Sequence, residues 1–238
     1  MAKDLGKLKV IALLQARGRG STLPEKNMYR LNSEPMIAHF LNEIKKADFI
    51  DGIGVWTECD AIADVVKSCG CQALKRPRGM VHYGSGFYAP DAWHQCIEQE
   101  AEKVFGPPPY VRVWLNCNHV LFSFTSLETM FRLFVEDDEA DIIFPVCRIE
   151  SDLHVINPET SSLFPVLFKT AHLNETRSVL YRKVGMHISV SGSGAEKQKL
   201  REIHFEVPWY EGRDIQEFED TFFAEYLLKK RAKKRGGL

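Results

Sequence analysis

The sequence predicts an α/β fold with a mostly parallel central sheet. Val10–Gln15 is a continuous apolar run, which is typical of a strand covered on both faces. Strand and helix patterns then alternate to about residue 146, and a glycine-rich loop with two arginines follows the first strand. Because open sheets of this class bind ligands beyond the carboxyl ends of their strands, we expect a ligand site in that loop.

The other elements are predicted from periodicity and from turn residues. Apolar residues on one helical face indicate helices over 36–44 and 62–69, and Gly70 closes the second. In chain order, the other elements to residue 146 are strand Ile53–Thr57, a short strand Gln72–Leu74, a helix from about Pro90 to Phe105, strand Tyr110–Leu115, a helix opened by the capping box Thr125-x-x-Glu128, and strand Asp141–Val146.

The alternation stops in the last third of the chain. Residues 148–204 are polar and rich in turns, and this pattern predicts a β-rich insertion. A final strand over 203–208 and a long helix over Asp214–Arg231 follow. With 238 residues and no linker or internal repeat, we expect a single domain over 1–238.

Composition excludes several classes of function. Lys+Arg 31 against Asp+Glu 32 leaves no overall field that would attract nucleic acid or a membrane surface, apart from the basic tail over 229–235. No apolar stretch approaches the length of a membrane span, and the first nine residues lack a signal-peptide core. The six cysteines lie mainly in apolar segments without a Cys-x-x-Cys pair, so we expect free thiols and a cytoplasmic location.

The loop after the first strand has the composition of a phosphate site. Gly18 and Gly20 allow close backbone approach to a guest, and neighbouring NH groups can form an anion nest. Arg17, Arg19 and Lys26 add positive charge. An ordinary solvated loop is the alternative. The chain has neither the P-loop nor the dinucleotide fingerprint.

Residues 16–27, ARGRGSTLPEKN, resemble the signature A-R-x-G-S-x-x-L-P-x-K-N of the CMP-sialic acid synthetase family of cytidylyltransferases. The following Ser33-Glu34-Pro35-Met36-Ile37 resembles the start of the family's next helix. The resemblance implies a Rossmann-like three-layer nucleotidyltransferase fold, with an inserted β-rich element that joins two subunits in a homodimer. It also implies CTP as co-substrate and a role in surface polysaccharide biosynthesis.

Carried over residue by residue, the resemblance assigns the nucleotide half of the site. Arg17 and Lys26 contact the phosphates, and the backbone donors and charges of the same loop assist them. The residues that border or bind CTP are Leu13, Ala16, Gly18, Arg19, Gly20, Ser21, Asn27 and Arg76. For Asn27 the alternative is a turn residue that satisfies its own backbone. For Arg76 the alternative is a surface ion pair.

The metal assignment depends on Asp214. Gly212-Arg213-Asp214-Ile215-Gln216 resembles the family's S-x-D-I-D element, whose two aspartates hold Mg²⁺, but the second position here is Gln216. One carboxylate is compatible with Mg²⁺, which fills its other positions with water and phosphate. Alternatively, Asp214 and Glu217 form a capping box for the terminal helix.

The acceptor side departs from the family pattern. Asn116, His119, Arg182 and Lys183 are the candidates there, although a lone histidine is more often structural and both cations suit an exposed hairpin. We therefore expect CMP transfer from CTP to an anionic acceptor, either a sialic or octulosonic sugar acid or a phosphonate or phosphorylated small molecule. A non-catalytic nucleotide-binding relative is the rival hypothesis, because Gln216 replaces the second aspartate.

Overall fold

The computed structural model describes residues 5, 8–19, 23–80, 90–149, 154–156, 163–165, 180–191 and 200–235. The helices are α1 Met36–Ile44, α2 Asp60–Ser68, α3 Pro90–Phe105, α4 Phe124–Glu136 and α5 Phe218–Arg235. The strands are β1 Val10–Gln15, β2 Arg30–Leu31, β3 Glu34–Pro35, β4 Gly52–Thr57, β5 Gln72–Lys75, β6 Val111–Leu115, β7 Ile142–Ile149, β8 His154–Ile156, β9 Leu163–Pro165, β10 Leu180–Lys183, β11 His187–Val190 and β12 Glu202–Glu206.

The central sheet has the order β10-β7-β11-β6-β1-β4-β5, and β12 also pairs with β7. The run β6-β1-β4-β5 is parallel throughout, whereas β11 is antiparallel to both β6 and β7. This arrangement confirms the predicted α/β class. It also brings the carboxyl ends of β1, β4, β5 and β6 to one edge, where the loops after these strands meet.

Side-chain alternation along β1 creates the three layers. Val10, Ala12 and Leu14 enter a core formed with α1, α2 and α4, while Ile11 and Leu13 enter a second core formed with α3. Because successive side chains of a strand point to opposite faces, an all-apolar strand must be covered on both. The apolar run that predicted this strand therefore also accounts for its central place in the sheet.

Part of the predicted insertion over residues 148–204 belongs to the central sheet. β11 lies between β6 and β7, so residues 187–190 belong to the central sheet, and β10 extends the same sheet at β7. β8 and β9 form a separate two-stranded sheet. The short His-Ile-Ser-Val pattern of β11 cannot be distinguished from a hairpin strand by periodicity, and only its pairing on both sides shows its place.

Helix capping differs from two sequence predictions. Ser123, not Thr125, caps α4 through its hydroxyl, which accepts a hydrogen bond from the Ser126 NH. At α5, the Asp220 carboxylate accepts hydrogen bonds from the backbone NH groups of Gln216 and Glu217 at 2.9 and 3.0 Å. The capping role at α5 therefore belongs to Asp220 and not to Asp214.

Asp220 also pairs with Arg213, whose Nη2 lies 2.6 Å from its Oδ1. Burial by itself would raise the pKa of Asp220, but the two NH groups and the guanidinium outweigh it and lower the pKa. The Asp220 carboxylate consequently fixes the turn that carries Asp214 and Gln216.

We expect Asp220→Ala to lower the free energy of unfolding at pH 7 by about 1–2 kcal/mol, the usual effect of losing a helix cap. Because the folded pKa is depressed below 3.8, the contribution is fully present above that pH and disappears as the pH falls through the folded value. Urea denaturation of both proteins from pH 7 to pH 2 measures this. Asp64→Ala on the exposed face of α2 is the control, and an equal loss in both variants would contradict the assignment.

Candidate active site

A cavity of about 190 Å³ lies at the carboxyl edge of the sheet. Its lining comes from the ends of β1 and β6 and from the loops that follow β1, β5 and β6. The lining residues are Gln15, Arg17, Lys26, Asn27, Arg76, Asn116 and Asn118. Three of these side chains are cationic and four are amides, so the cavity offers hydrogen-bond donors and positive charge to an anionic guest.

The cations of this cavity repel one another. Burial lowers the pKa of Lys26, which is 6% exposed, and the nearby Arg17 lowers it further, while Asp214 acts in the opposite direction. Burial also lowers the pKa of Arg76, which is 3% exposed, with Glu58 opposing and Arg17 again contributing. An anion in the cavity would relieve this repulsion, because it favours the charged form of each group.

A strained turn directs Lys26 and Asn27 inward. Glu25 has a left-handed backbone at φ 49°, which a residue with a side chain rarely adopts, and a 3₁₀ turn over Lys26–Met28 follows it. Such strain is found mostly where structure serves a site. Both side chains are consequently buried beside the loop that carries Arg17.

Asn27 connects three segments of the cavity wall. Its Nδ2 donates to the Arg17 carbonyl at 2.9 Å, and its Oδ1 accepts from the Cys117 thiol at 2.9 Å. The Asn27 side chain therefore bonds to the Arg17 loop. The turn alternative required it to bond to its own backbone instead. A contact between Asn27 and a base stays a prediction.

Arg76 is a buried cation, not a member of a surface ion pair. Its guanidinium lies over the Trp56 ring at 4.7 Å from the centroid and its Nε is 3.7 Å from Glu58 Oε2. The other Glu58 oxygen accepts from the Gly18 NH at 2.7 Å. Glu58 thus holds both Gly18 and Arg76, and it is a site-shaping residue that motif comparison alone did not identify.

Gly18 is needed for this close approach. A Cβ atom at this position would lie 2.9 Å from Cys59 Cβ, nearer than side chains normally come. The close approach observed at Gly18 is to Cys59 of the same chain, and its NH donates to Glu58. An approach of Gly18 to a bound ligand stays a prediction. Gly20 and Ser21, which were assigned to the same loop, lie outside the described residues.

A second cavity of about 890 Å³ is lined by residues near β7, β10 and the start of α5. Its lining residues are Cys147, Arg148, Arg182, Trp209, Arg213, Asp214, Gln216, Glu217, Glu219 and Asp220. Gln216 connects the two cavities, because its Oε1 accepts from Lys26 Nζ at 2.7 Å and its Nε2 donates to Asp214 Oδ2. The predicted phosphate lysine and the predicted metal carboxylate are therefore joined through one amide.

The structure brings Arg182 to this second cavity. Its Nη2 donates to the Gly212 carbonyl at 2.6 Å. Gly212 lies two residues before Asp214 in the chain. Gly212 permits this packing, because a Cβ there would meet Cys147 Sγ at 2.7 Å. Arg182 and Asp214 consequently line one cavity.

Asp214 has an acceptor that no protein group uses. Its Oδ1 is buried and has no hydrogen-bond partner among the described residues. Across the described ranges no group of three or more His, Cys, Asp or Glu side chains could hold a metal ion. The donor set therefore fits a Mg²⁺ ion that takes one carboxylate from the protein and its other ligands from water and phosphate.

His119 lies outside both cavities. It is 4% exposed, and its ring contacts the backbone of Gly212 and Arg213. Burial lowers its pKa, against the opposing effect of Asp214. The turn after β6 directs the ring beneath the 212–214 segment. A contact between His119 and an acceptor stays a prediction.

Four other assigned residues also lie away from the cavities. Leu13 and Ala16 are buried in the two cores on either side of β1. Arg19 is exposed and lines neither cavity. Lys183 points to the opposite side of β10 from Arg182, where it pairs with Glu202 and lies 4.2 Å from the Phe144 ring centroid. Alternation along a strand separates two consecutive residues in this way.

The sequence analysis also missed residues that the structure brings to the site. Gln15 ends β1 and Asn118 follows β6, so their positions at strand ends were the available signal. Arg148 and Trp209 line the second cavity and carry no motif. Only the packing of β7 against the segment before α5 brings those two residues to one cavity.

Comparison with known proteins gives a family match for part of the chain. Residues 11–80 match the family model described as "Cytidylyltransferase". A 3-deoxy-manno-octulosonate cytidylyltransferase 2 from Hydrogenovibrio crunogenus is 34% identical over 70 residues, which span 29% of this chain and 28% of the relative. The segment 11–80 that matches the family model contains the Arg17 loop, Lys26, Glu58 and Arg76.

Solved structures are similar over nearly the whole chain. A CMP:2-keto-3-deoxy-manno-octonic acid synthetase complexed with CTP has a TM-score of 0.65 at 14% identity, covering 94% of this chain and 99% of that one. A 4-diphosphocytidyl-2C-methyl-D-erythritol synthase has a TM-score of 0.70 at 14% identity, covering 93% and 99%. At this identity the likeness concerns the fold. The chain thus has the nucleotidyltransferase fold of these synthases, and its residues 11–80 carry the sequence pattern of the cytidylyltransferase family.

Proposed function

We propose that this protein is a CTP-dependent cytidylyltransferase that transfers CMP to an anionic acceptor and releases pyrophosphate. The observation that carries the proposal is the cavity at the carboxyl edge of the sheet, with Arg17, Lys26 and Arg76 in its wall. All three lie in the segment that matches the cytidylyltransferase model. The relative bound to CTP has the same fold over nearly all of its length.

Nucleotidyl transfer demands charge neutralisation and alignment more than covalent chemistry from the protein. Arg17 and Lys26 bind the β- and γ-phosphates, and the amides of the first cavity, with Arg76, face the base. Asp214 would hold Mg²⁺, and a bound ion would supply charge neutralisation at the triphosphate. Lys26 and Asp214 are linked through Gln216, so the phosphate and metal contacts share one rigid wall.

The acceptor binds in the second cavity, beside Arg182. Two similar proteins are named for an octulosonic sugar acid, and this favours an acceptor of the sialic or octulosonic type. A phosphonate or a phosphorylated small molecule is the other class that the arginine-lined wall would accept. We also propose a cytoplasmic location, because the six cysteines are free.

CTP with Mg²⁺ should raise the melting temperature more than ATP, GTP or UTP does, because a ligand that binds only the native state stabilises it by mass action.

Lys26→Ala and Arg17→Ala should each weaken CTP binding by roughly tenfold or more, since each removes a charge-assisted hydrogen bond worth about 1.5–3 kcal/mol. Thermal shift and calorimetric titration measure both effects.

Lys67→Ala is the matched control, because this lysine is exposed on α2 and lines neither cavity. Its CTP affinity should equal that of the unsubstituted protein. Equal shifts with all four nucleotides would remove the cytidylyltransferase proposal, whatever the variants do.

A non-catalytic nucleotide-binding protein is the second candidate, because an amide stands at Gln216 where the similar family has a carboxylate. If the metal site is weakened, Gln216→Asp should lower the Mg²⁺ concentration needed for half-maximal pyrophosphate release and raise turnover. Gln216→Glu is the control, because it adds the same negative charge on a side chain that is one methylene longer than aspartate. A protein that binds CTP but releases no pyrophosphate in either form would favour the non-catalytic reading.

We further propose a homodimer, formed in part by the β-rich segment that includes β8 and β9. An isologous twofold interface would give two equivalent sites per dimer. Sedimentation equilibrium at working concentrations should give a mass of twice the 27.2 kDa chain. A monomer mass would contradict the proposal.

A further inference from the structure

The second cavity has two walls of different charge. Arg148 and Arg182 come from β7 and β10 on the sheet side. Trp209, Glu217 and Glu219 come from the segment that leads into α5 and from its first turn. A pocket for a simple anion needs only the first of these walls.

The remaining charged groups of the cavity have other partners. Arg213 and Asp220 form an ion pair through two hydrogen bonds of 2.6 and 2.9 Å, and Asp220 also accepts the NH groups at the start of α5. Because Asp220 already caps that helix, Glu217 and Glu219 are not required for capping. Their carboxylates therefore remain available at the helix wall.

Trp209 is a large aromatic side chain held in an exposed position. It is 54% exposed, and its ring stacks on Phe223 with centroids 5.2 Å apart and an interplanar angle of 23°. Phe223 supports one side of the indole, so the ring can offer its other side to a guest. An aromatic face with neighbouring carboxylates is a suitable environment for an ammonium group.

Among the described residues, no histidine lines either cavity. His119 is buried beneath the 212–214 segment. An attacking hydroxyl must lose a proton during the reaction. A phosphate or phosphonate oxygen is already ionised near neutral pH, because its second pKa is about 6, so it needs no base.

We infer that the acceptor is a small zwitterion with a phosphate or phosphonate group at one end and an ammonium group a few bonds away. This inference rests on the proposed function. Arg182, with Arg148, binds the anionic end next to Asp214, and Trp209 with Glu217 and Glu219 binds the cationic end. An acceptor oxygen forms a bond to the α-phosphorus of CTP, the bond from that phosphorus to the bridging oxygen breaks, and pyrophosphate leaves with the electron pair.

The test compares acceptors that differ only in the ammonium group. Pyrophosphate release is measured with Mg²⁺, CTP and 2-aminoethyl phosphate, 2-aminoethylphosphonate or their trimethylammonium analogues, against ethyl phosphate and ethylphosphonate. A 3-deoxy-octulosonic acid is the sugar-acid arm. We expect kcat/KM to be about tenfold or more higher with an ammonium group than without it. The phosphate, phosphonate and trimethylammonium arms identify which zwitterion fits.

Variants assign the preference to the helix wall. Trp209→Leu and Glu219→Gln should bring the ratio of kcat/KM for 2-aminoethyl phosphate over ethyl phosphate close to one. Glu136→Gln, on the exposed face of α4, should leave that ratio unchanged. A preference that persists in both Trp209→Leu and Glu219→Gln would overturn the assignment of the ammonium to this wall.

Two results separate this inference from the proposed function. If the sugar acid is the best acceptor, or if CTP stabilises the protein selectively and no ammonium-bearing acceptor exceeds its matched anion, the zwitterion inference is overturned and the CTP assignment stands. If CTP does not stabilise the protein more than other nucleotides and no pyrophosphate is released with any acceptor, the proposed function itself fails.

Discussion

The hydrogen bond between Lys26 and Gln216 is the contact on which the site depends. It joins residues 190 positions apart in the chain at 2.7 Å, and it links the loop after β1 to the turn before α5. Lys26 is nearly buried, so its ammonium requires a partner, and the amide of Gln216 supplies one without adding a negative charge. Removal of either group would leave a buried donor or acceptor unsatisfied on the wall that separates the two cavities.

Electrostatic repulsion among its cations makes the first cavity a suitable environment for an anion. Folding brings Arg17, Lys26 and Arg76 together, and burial makes each charge more costly than it would be in water. Glu58 and Asp214 compensate only in part, because each lies at the margin of the cluster and is also engaged with another group. A polyanion bound in the cavity would remove the remaining cost, so the same charges that oppose folding favour the ligand.

Rigid supports surround this charge cluster. Asn27 fastens the Arg17 loop, Glu58 fastens Gly18 and Arg76, and Asp220 fastens the turn that carries Asp214. None of these three contacts requires a ligand. The geometry of the walls is thus established before binding, which reduces the ordering cost that binding would otherwise incur.

None of the helices in the described ranges combines the length and the apolar character that a membrane span requires.

The sequence by itself determined the class of fold and several residues of the first cavity, because both depend on local signals. The apolar run of β1 and the alternation of helix and strand indicate a layered sheet, and a glycine-rich loop at a strand end marks its binding edge. Arg17, Lys26, Asn27 and Arg76 all line the predicted cavity. Leu13 and Ala16 do not, because a motif position does not show to which side of a strand a residue points.

Only the tertiary structure decided the arrangement around the second cavity. β11 pairs within the central sheet, Lys183 lies on the opposite side of β10 from Arg182, and His119 is buried under the 212–214 segment. Whether Asp214 caps a helix or faces a ligand depended on Asp220, six residues later, which took the capping role. These outcomes follow from contacts between segments far apart in the chain, and residue patterns within one segment do not contain them.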